Sequence, residues 1–156
     1  MMNRKIKFLT IDVDGVLTDG GVYITEKGDI AKKFNVKDGV GIRSVINKGI
    51  HVAFLSAGKS EKLHNARAKM LGIKFVYSGN KEKLDVVSRW CKKLKISLDE
   101  VAHIADDTND IKLLSAVGFS ACPADAVEDV KKIATVILKK KGGEGCVREF
   151  IENYLS

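Results

Sequence analysis

Ile6-Lys7-Phe8-Leu9-Thr10-Ile11-Asp12-Val13-Asp14-Gly15 is the stretch whose reading settles the architecture. Ile6–Val13 is an apolar run that ends in a turn signal, the pattern of a strand buried on both faces. Asp12, Asp14 and Gly15 make the end of that strand acidic and able to turn sharply.

The rest of the chain repeats this plan. Gly20–Asn35 reads as a hairpin turning at Glu26-Lys27-Gly28-Asp29. Asp38 is placed to cap a helix running to Asn47, with Gly49 as its stop. Ile50–Ser56 is the next strand, and a helix follows from Ser60 to Leu71, stopped by Gly72. Phe75–Tyr77 is a short strand before a helix from Lys81 to Leu94. Ser97 and Glu100 have the spacing of a capping box, but the following run, Val101–Ala105, is short and reads as a strand, so the box is discounted. Helix Asn109–Ala116, strand Phe119–Cys122, helix Ala126–Ile133 and strand Thr135–Leu138 continue the alternation. Gly142-Gly143-Glu144-Gly145 interrupts it before a last helix, Val147–Tyr154. The expected fold is α/β, a Rossmann-like three-layer sandwich with a mostly parallel central sheet and a small β-hairpin, in a single domain over 1–156.

Composition narrows the function. No apolar run approaches the roughly 18 residues that span a bilayer. Met1–Lys7 leads straight into the first strand without a signal-peptide pattern, so a cytoplasmic location is expected. Cys91, Cys122 and Cys146 are odd in number and lack CxxC spacing, which suits packing residues in a reducing compartment. The net charge is 27 − 20 = +7. The lysines are scattered on helix faces with one run, Lys139–Lys141, and no aromatic-interleaved patch, so nucleic acid is not the expected partner. A field that attracts a small anion is the competing use of the charge. His51, His64 and His103 read as strand or helix-surface residues, since none pairs at metal-ligand spacing.

In such folds, sites gather at the carboxyl ends of the strands. Two acidic clusters fall there: Asp12 with Asp14, and Asp106-Asp107 with Asp110. Five converging carboxylates would repel one another unless a cation lay among them, and Mg²⁺ suits oxygen ligands while leaving room for phosphate. Asp12 and Asp14, two apart on extended chain, can face one substrate. One can attack phosphorus while the other protonates the leaving alkoxide and then activates water.

Asp12-Val13-Asp14-Gly15-Val16-Leu17-Thr18 resembles the first motif of the haloacid dehalogenase phosphatases. The resemblance implies that Asp12 is the nucleophile and Asp14 the acid/base. It makes Ser56 and Lys83 the phosphate-binding residues, and Asp12, Asp14 and Asp106 the Mg²⁺ ligands, with Asp107 and Asp110 in support. No insertion is large enough for a cap domain, so the chain is similar to the capless branch. Phe34–Ile42 and Gly142–Glu149 look like the corresponding segments of phosphatases acting on 3-deoxy-D-manno-octulosonate 8-phosphate, an enzyme group of lipopolysaccharide precursor synthesis. Phosphatases of nine-carbon sialic-acid-type 9-phosphates share the framework and stay as the alternative.

Lys37 and Lys59 stand where the eight-carbon enzymes carry arginine, which implies contacts to a sugar acid phosphate. Arg148, after the glycine-rich segment, is a further substrate-binding candidate, and the resemblance implies a homotetramer whose tail reaches a neighbouring site. The chain departs from the family pattern at Ala57, which reads as an insertion, at Ala105 in place of Gly, and at Thr108 in place of Leu. Two other classes compete with this one. A nucleotide-binding P-loop at Gly58-Lys59-Ser60 would need glycine at Ala53, inside a strand. A non-catalytic binding subunit of the same fold would not need both Asp12 and Asp14.

Overall fold

The computed structural model describes residues 5–155, so residues 1–4 of the expected leader reading and the last residue of the domain lie outside the described residues. Strand β1 (Phe8–Asp12) is wholly buried and lies at the centre of a six-stranded sheet. Its companions are β4 (His51–Ser56), β5 (Phe75–Ser78), β6 (Val101–Ile104), β7 (Phe119–Cys122) and β8 (Val136–Ile137), in the order β5-β4-β1-β6-β7-β8. Every pairing in it is parallel. Leu9 and Ile11 face one helical layer and Phe8 the other, as period-two alternation requires of a two-sided strand.

Helices α1 (Val36–Asn47), α2 (Glu61–Leu71) and α6 (Cys146–Tyr154) bury Ile42, Val45, Leu71, Phe150 and Ile151 against the first face. Helices α3 (Lys83–Leu94) and α4 (Ile111–Ala116) bury Val87, Cys91 and Leu113 on the second, and α5 (Glu128–Ile133) closes a satellite cluster with Val130. All three cysteines are free and buried. Strands β2 (Tyr23–Ile24) and β3 (Ile30–Ala31) form the separate antiparallel hairpin, turned at the expected residues. Among the described residues no helix is long and apolar enough to cross a membrane.

Two local expectations are corrected. Asn35, not Asp38, caps α1: its side chain accepts from the Lys37 N–H at 2.9 Å. Asp38 is instead buried in the first turn, where its carboxylate accepts the Arg148 N–H of α6 at 2.9 Å. Gly145, at the start of α6, has no capping side chain of its own, so a neighbouring helix supplies the acceptor. The Ser97–Glu100 capping box is present after all; it closes one 3₁₀ turn, Leu98–Glu100, immediately before β6. Box and strand coexist because a single turn separates them.

Candidate active site

The turn Val13–Leu17 carries the chain off the carboxyl end of β1. Gly15 adopts φ +85°, and a Cβ there would lie 1.9 Å from an Asp106 carboxylate oxygen. Only glycine permits this approach. The turn is braced from behind by the tail: Gly143 N–H donates to Val16 O at 3.0 Å, and a Cβ on Gly142 would lie 1.9 Å from Gly15 O. The glycine-rich tail segment therefore seats against the turn of its own chain.

A cleft of about 250 Å³ opens beside this turn, lined by Asp12, Asp14, Gly15, Asp106, Asp107 and Asn109 among others. Asp12 is buried, and its Oδ1 accepts from the Val13 N–H at 3.0 Å and from Lys83 Nζ at 2.8 Å. Lys83 also donates to Asp110 Oδ2 at 2.8 Å, and Asp110 Oδ1 lies 2.7 Å from His103 Nε2. Burial pushes the Asp12 carboxyl well up, the Asp110 charge adds to this, and Lys83 opposes it. Burial alone would lower the Lys83 ammonium, but Asp12 and Asp110 outweigh it and hold it above its ordinary range. Burial would likewise raise Asp110; the bond and charge of His103, then Lys83, carry it below the usual carboxylate range.

Asp14 sits on the other side of the cleft. Ser56 Oγ donates to its Oδ2 at 3.3 Å, and Gly58 N–H donates to that hydroxyl at 3.0 Å, so the start of the Ala57 loop is tied to the site. Lys32, just beyond β3, brings Nζ to 2.7 Å from Asp14 Oδ1. No N–H aligns on that oxygen, so this is a charge contact rather than a directed hydrogen bond. The ammonium's directed bond goes to His64 Nε2 at 3.0 Å, and His64 Nδ1 lies 2.7 Å from Ser78 Oγ. Burial, reinforced by the Lys32 charge, lowers His64 to about 4, leaving a neutral ring that accepts from lysine.

Asp12 and Asp106 line the same cleft. Burial raises Asp106 as well. A buried carboxyl and a half-buried one, both raised by burial on the same cleft, favour a proton or a cation between them, and this donor set fits a hard divalent ion. Among the described residues no three acidic, histidine or cysteine side chains stand as a ready-made cluster, because Asp14 is turned to Ser56 and Lys32.

The structure thus brings Asp12, Asp14 and Asp106 to one cleft, with Ser56 bonded to Asp14 and Lys83 linking Asp12 to Asp110 behind it. Asp107 is exposed at its rim, accepting from the Thr108 N–H. Lys37 and Lys59 are exposed. Arg148 is on α6, paired with Glu152 at 2.6 Å, and does not line the cleft. Lys32, His64 and His103 were missed. His64 and His103 are fully buried, not surface residues, while His51 is exposed.

A model of the haloacid dehalogenase-like hydrolases matches residues 60–151. The chain belongs to this family, whose match begins beyond Asp12 and Asp14. Among curated proteins it is 40% identical over 146 residues to the 3-deoxy-D-manno-octulosonate 8-phosphate phosphatase KdsC of Escherichia coli (strain K12), covering 94% of this chain and 77% of that one. Among solved structures it is similar to the same phosphatase from Moraxella catarrhalis, in complex with magnesium, phosphate and KDO. That match has TM-score 0.92 and 35% identity over 96% of this chain and 86% of the other. The cobalt-bound phosphatase of Haemophilus influenzae matches equally, with TM-score 0.92 and 36% identity over 97% and 88%.

Proposed function

We propose that this chain is a Mg²⁺-dependent phosphatase that hydrolyses 3-deoxy-D-manno-octulosonate 8-phosphate. The observation that carries the reading is the Asp12–Lys83 pair at the end of β1, opposite Asp106, in a chain 40% identical to KdsC over nearly its whole length. Asp12 attacks phosphorus, its Oδ1 steadied by Lys83 and the Val13 N–H, and the bond from phosphorus to the sugar oxygen breaks. Asp14 gives a proton to the departing alkoxide. It then takes one from the water that opens the aspartyl-phosphate and frees inorganic phosphate. Ser56 and Lys83 hold phosphoryl oxygens. Asp12, Asp14 and Asp106 are the residues that would hold Mg²⁺, which when bound supplies charge neutralisation between carboxylates and phosphoryl group.

The same reading includes Lys37, Lys59 and Arg148 as contacts to the sugar acid, a cytoplasmic enzyme and a homotetramer. Self-association is supported by the hairpin, where Val22, Tyr23, Ile24 and Ile30 are all exposed. Specificity constants across sugar acid phosphates test the substrate. A higher kcat/KM for a nine-carbon 9-phosphate would overturn it. Chelation with EDTA is expected to silence the enzyme and added Mg²⁺ to restore it; full activity after rigorous chelation would refute the metal's role.

A further inference from the structure

On the face of the sheet where Phe8 and Val101 pack in an apolar cluster, the next residues toward the site, Thr10 and His103, are polar yet wholly buried. They are register partners across β1 and β6. Burying an imidazole there is unfavourable unless both nitrogens are bonded. Both are. His103 Nδ1 lies 3.1 Å from Thr10 O, an oxygen that can only accept, and 2.8 Å from Thr10 Oγ1, which itself donates to Ala102 O at 3.3 Å. Thr10 thus satisfies Nδ1. Nε2 lies 2.7 Å from Asp110 Oδ1, a carboxylate oxygen that accepts, so Nε2 is the nitrogen that donates to Asp110.

The result is a buried row, His103–Asp110–Lys83–Asp12, with each link between 2.7 and 2.8 Å. Asp110 does not reach the cleft, and without a donor behind it one of its oxygens would be free to rotate onto Lys83 and draw the ammonium back. We propose that His103 is a positioning residue for phosphoryl transfer, pinning Asp110 so that Lys83 stays pointed at Asp12 and the phosphoryl group. This rests on the phosphatase reading above and goes beyond it by assigning a function to a residue outside the cleft.

Paired variants test it. The terminal amide nitrogen of Gln can stand where Nε2 stands and donate to Asp110, whereas that of Asn can stand only where Nδ1 stands. His103→Gln is expected to keep kcat/KM within about threefold of wild type, while His103→Asn loses roughly 10- to 100-fold, the worth of one hydrogen bond to a charged group. The dissociation constant of inorganic phosphate, measured calorimetrically with Mg²⁺ present, is expected to rise in parallel for Asn, with similar melting temperatures for both variants. Equal losses in the two, or wild-type values in Asn, would overturn the proposal. A measurement on the wild type avoids any folding defect: imidazole ¹⁵N spectra are expected to show hydrogen on His103 Nε2, the nitrogen that faces Asp110. A His103 ring with a bare Nε2 overturns it. Phosphate binding is read without turnover, so an inactive wild type that binds phosphate would refute the substrate reading alone. One that binds no phosphate would overturn both.

Discussion

Asp12 and Asp14 each face a lysine backed by a histidine, through Asp110 for Lys83 and directly for Lys32, yet the two arms are built differently. On the Asp12 side, Lys83 comes from the first turn of α3 and donates directed bonds to carboxylates on both sides. Its side chain and those of Asp12 and Asp110 are 4%, 7% and 0% exposed. On the Asp14 side, Lys32 comes from the end of a two-stranded hairpin, gives its directed bond to neutral His64, and touches Asp14 by charge alone. Asp14 is 36% exposed. A nucleophile gains from being fixed, since attack demands one geometry. An acid/base must gain and lose a proton in each cycle, and an oxygen with no aligned donor is open to do both. The difference between the arms follows the difference between the proposed jobs.

The largest expected effects test that division directly. Asp12→Asn is expected to abolish turnover, because an amide cannot attack phosphorus, while the fold persists on circular dichroism. Asp14→Asn is expected to lose roughly 10²- to 10⁴-fold in kcat, the range of general acid–base catalysis. Near-normal hydrolysis by a sequence-verified Asp12→Asn protein would sink the mechanism. Equal residual rates in both variants in a single-turnover phosphoenzyme trap would erase the distinction between the arms.

Lys32→Met probes the looser arm. It is expected to lower kcat roughly 10- to 100-fold, comparable with removing one charged contact. If Lys32 acts through Asp14, the substitution should add little in an Asp14→Asn background, which a double-mutant cycle measures. Additive losses would mean that Lys32 meets the substrate independently of Asp14.

The two acidic clusters were legible because β1 and β6 announce themselves as apolar runs, and their polar ends stand out. All the strands and helices of the sandwich follow from the same alternation, with ends displaced by a residue or two, as at Lys81 against Lys83 for α3. Lys32 was not legible. It is one of many lysines, in a hairpin whose register against the site depends on packing rather than on pattern. His64 and His103 were hidden for a related reason: a histidine in an apolar strand or helix gives no sign of which charged neighbour it will meet. Asp38 was misplaced because an aspartate near a helix start reads as its own cap, whereas the helix it serves begins more than a hundred residues later.

Asp38 also supplies the control for the comparison, as a buried carboxylate with no lysine or histidine bonded to it. Its acceptor bonds are to backbone N–H groups of α6, and its Oδ2 has no partner. Burial raises it to about 6, against the opposing backbone bonds and the more distant Lys140 and Arg67 charges. A carboxyl whose folded pKa is raised binds its proton more tightly in the folded chain, so its stabilising contribution is full below about pH 4. It is lost as pH climbs through about 6. Asp38→Asn removes that dependence while keeping an acceptor for one α6 amide. The variant's stability relative to wild type is therefore expected to improve by on the order of 2–3 kcal/mol between pH 4 and 6.5, read from paired denaturant titrations. A lysine-compensated carboxylate would give the reverse trend, because its stability is lost on acidification. A flat or declining difference would show that the backbone amides alone neutralise Asp38, and that a buried aspartate in this fold needs no cationic arm.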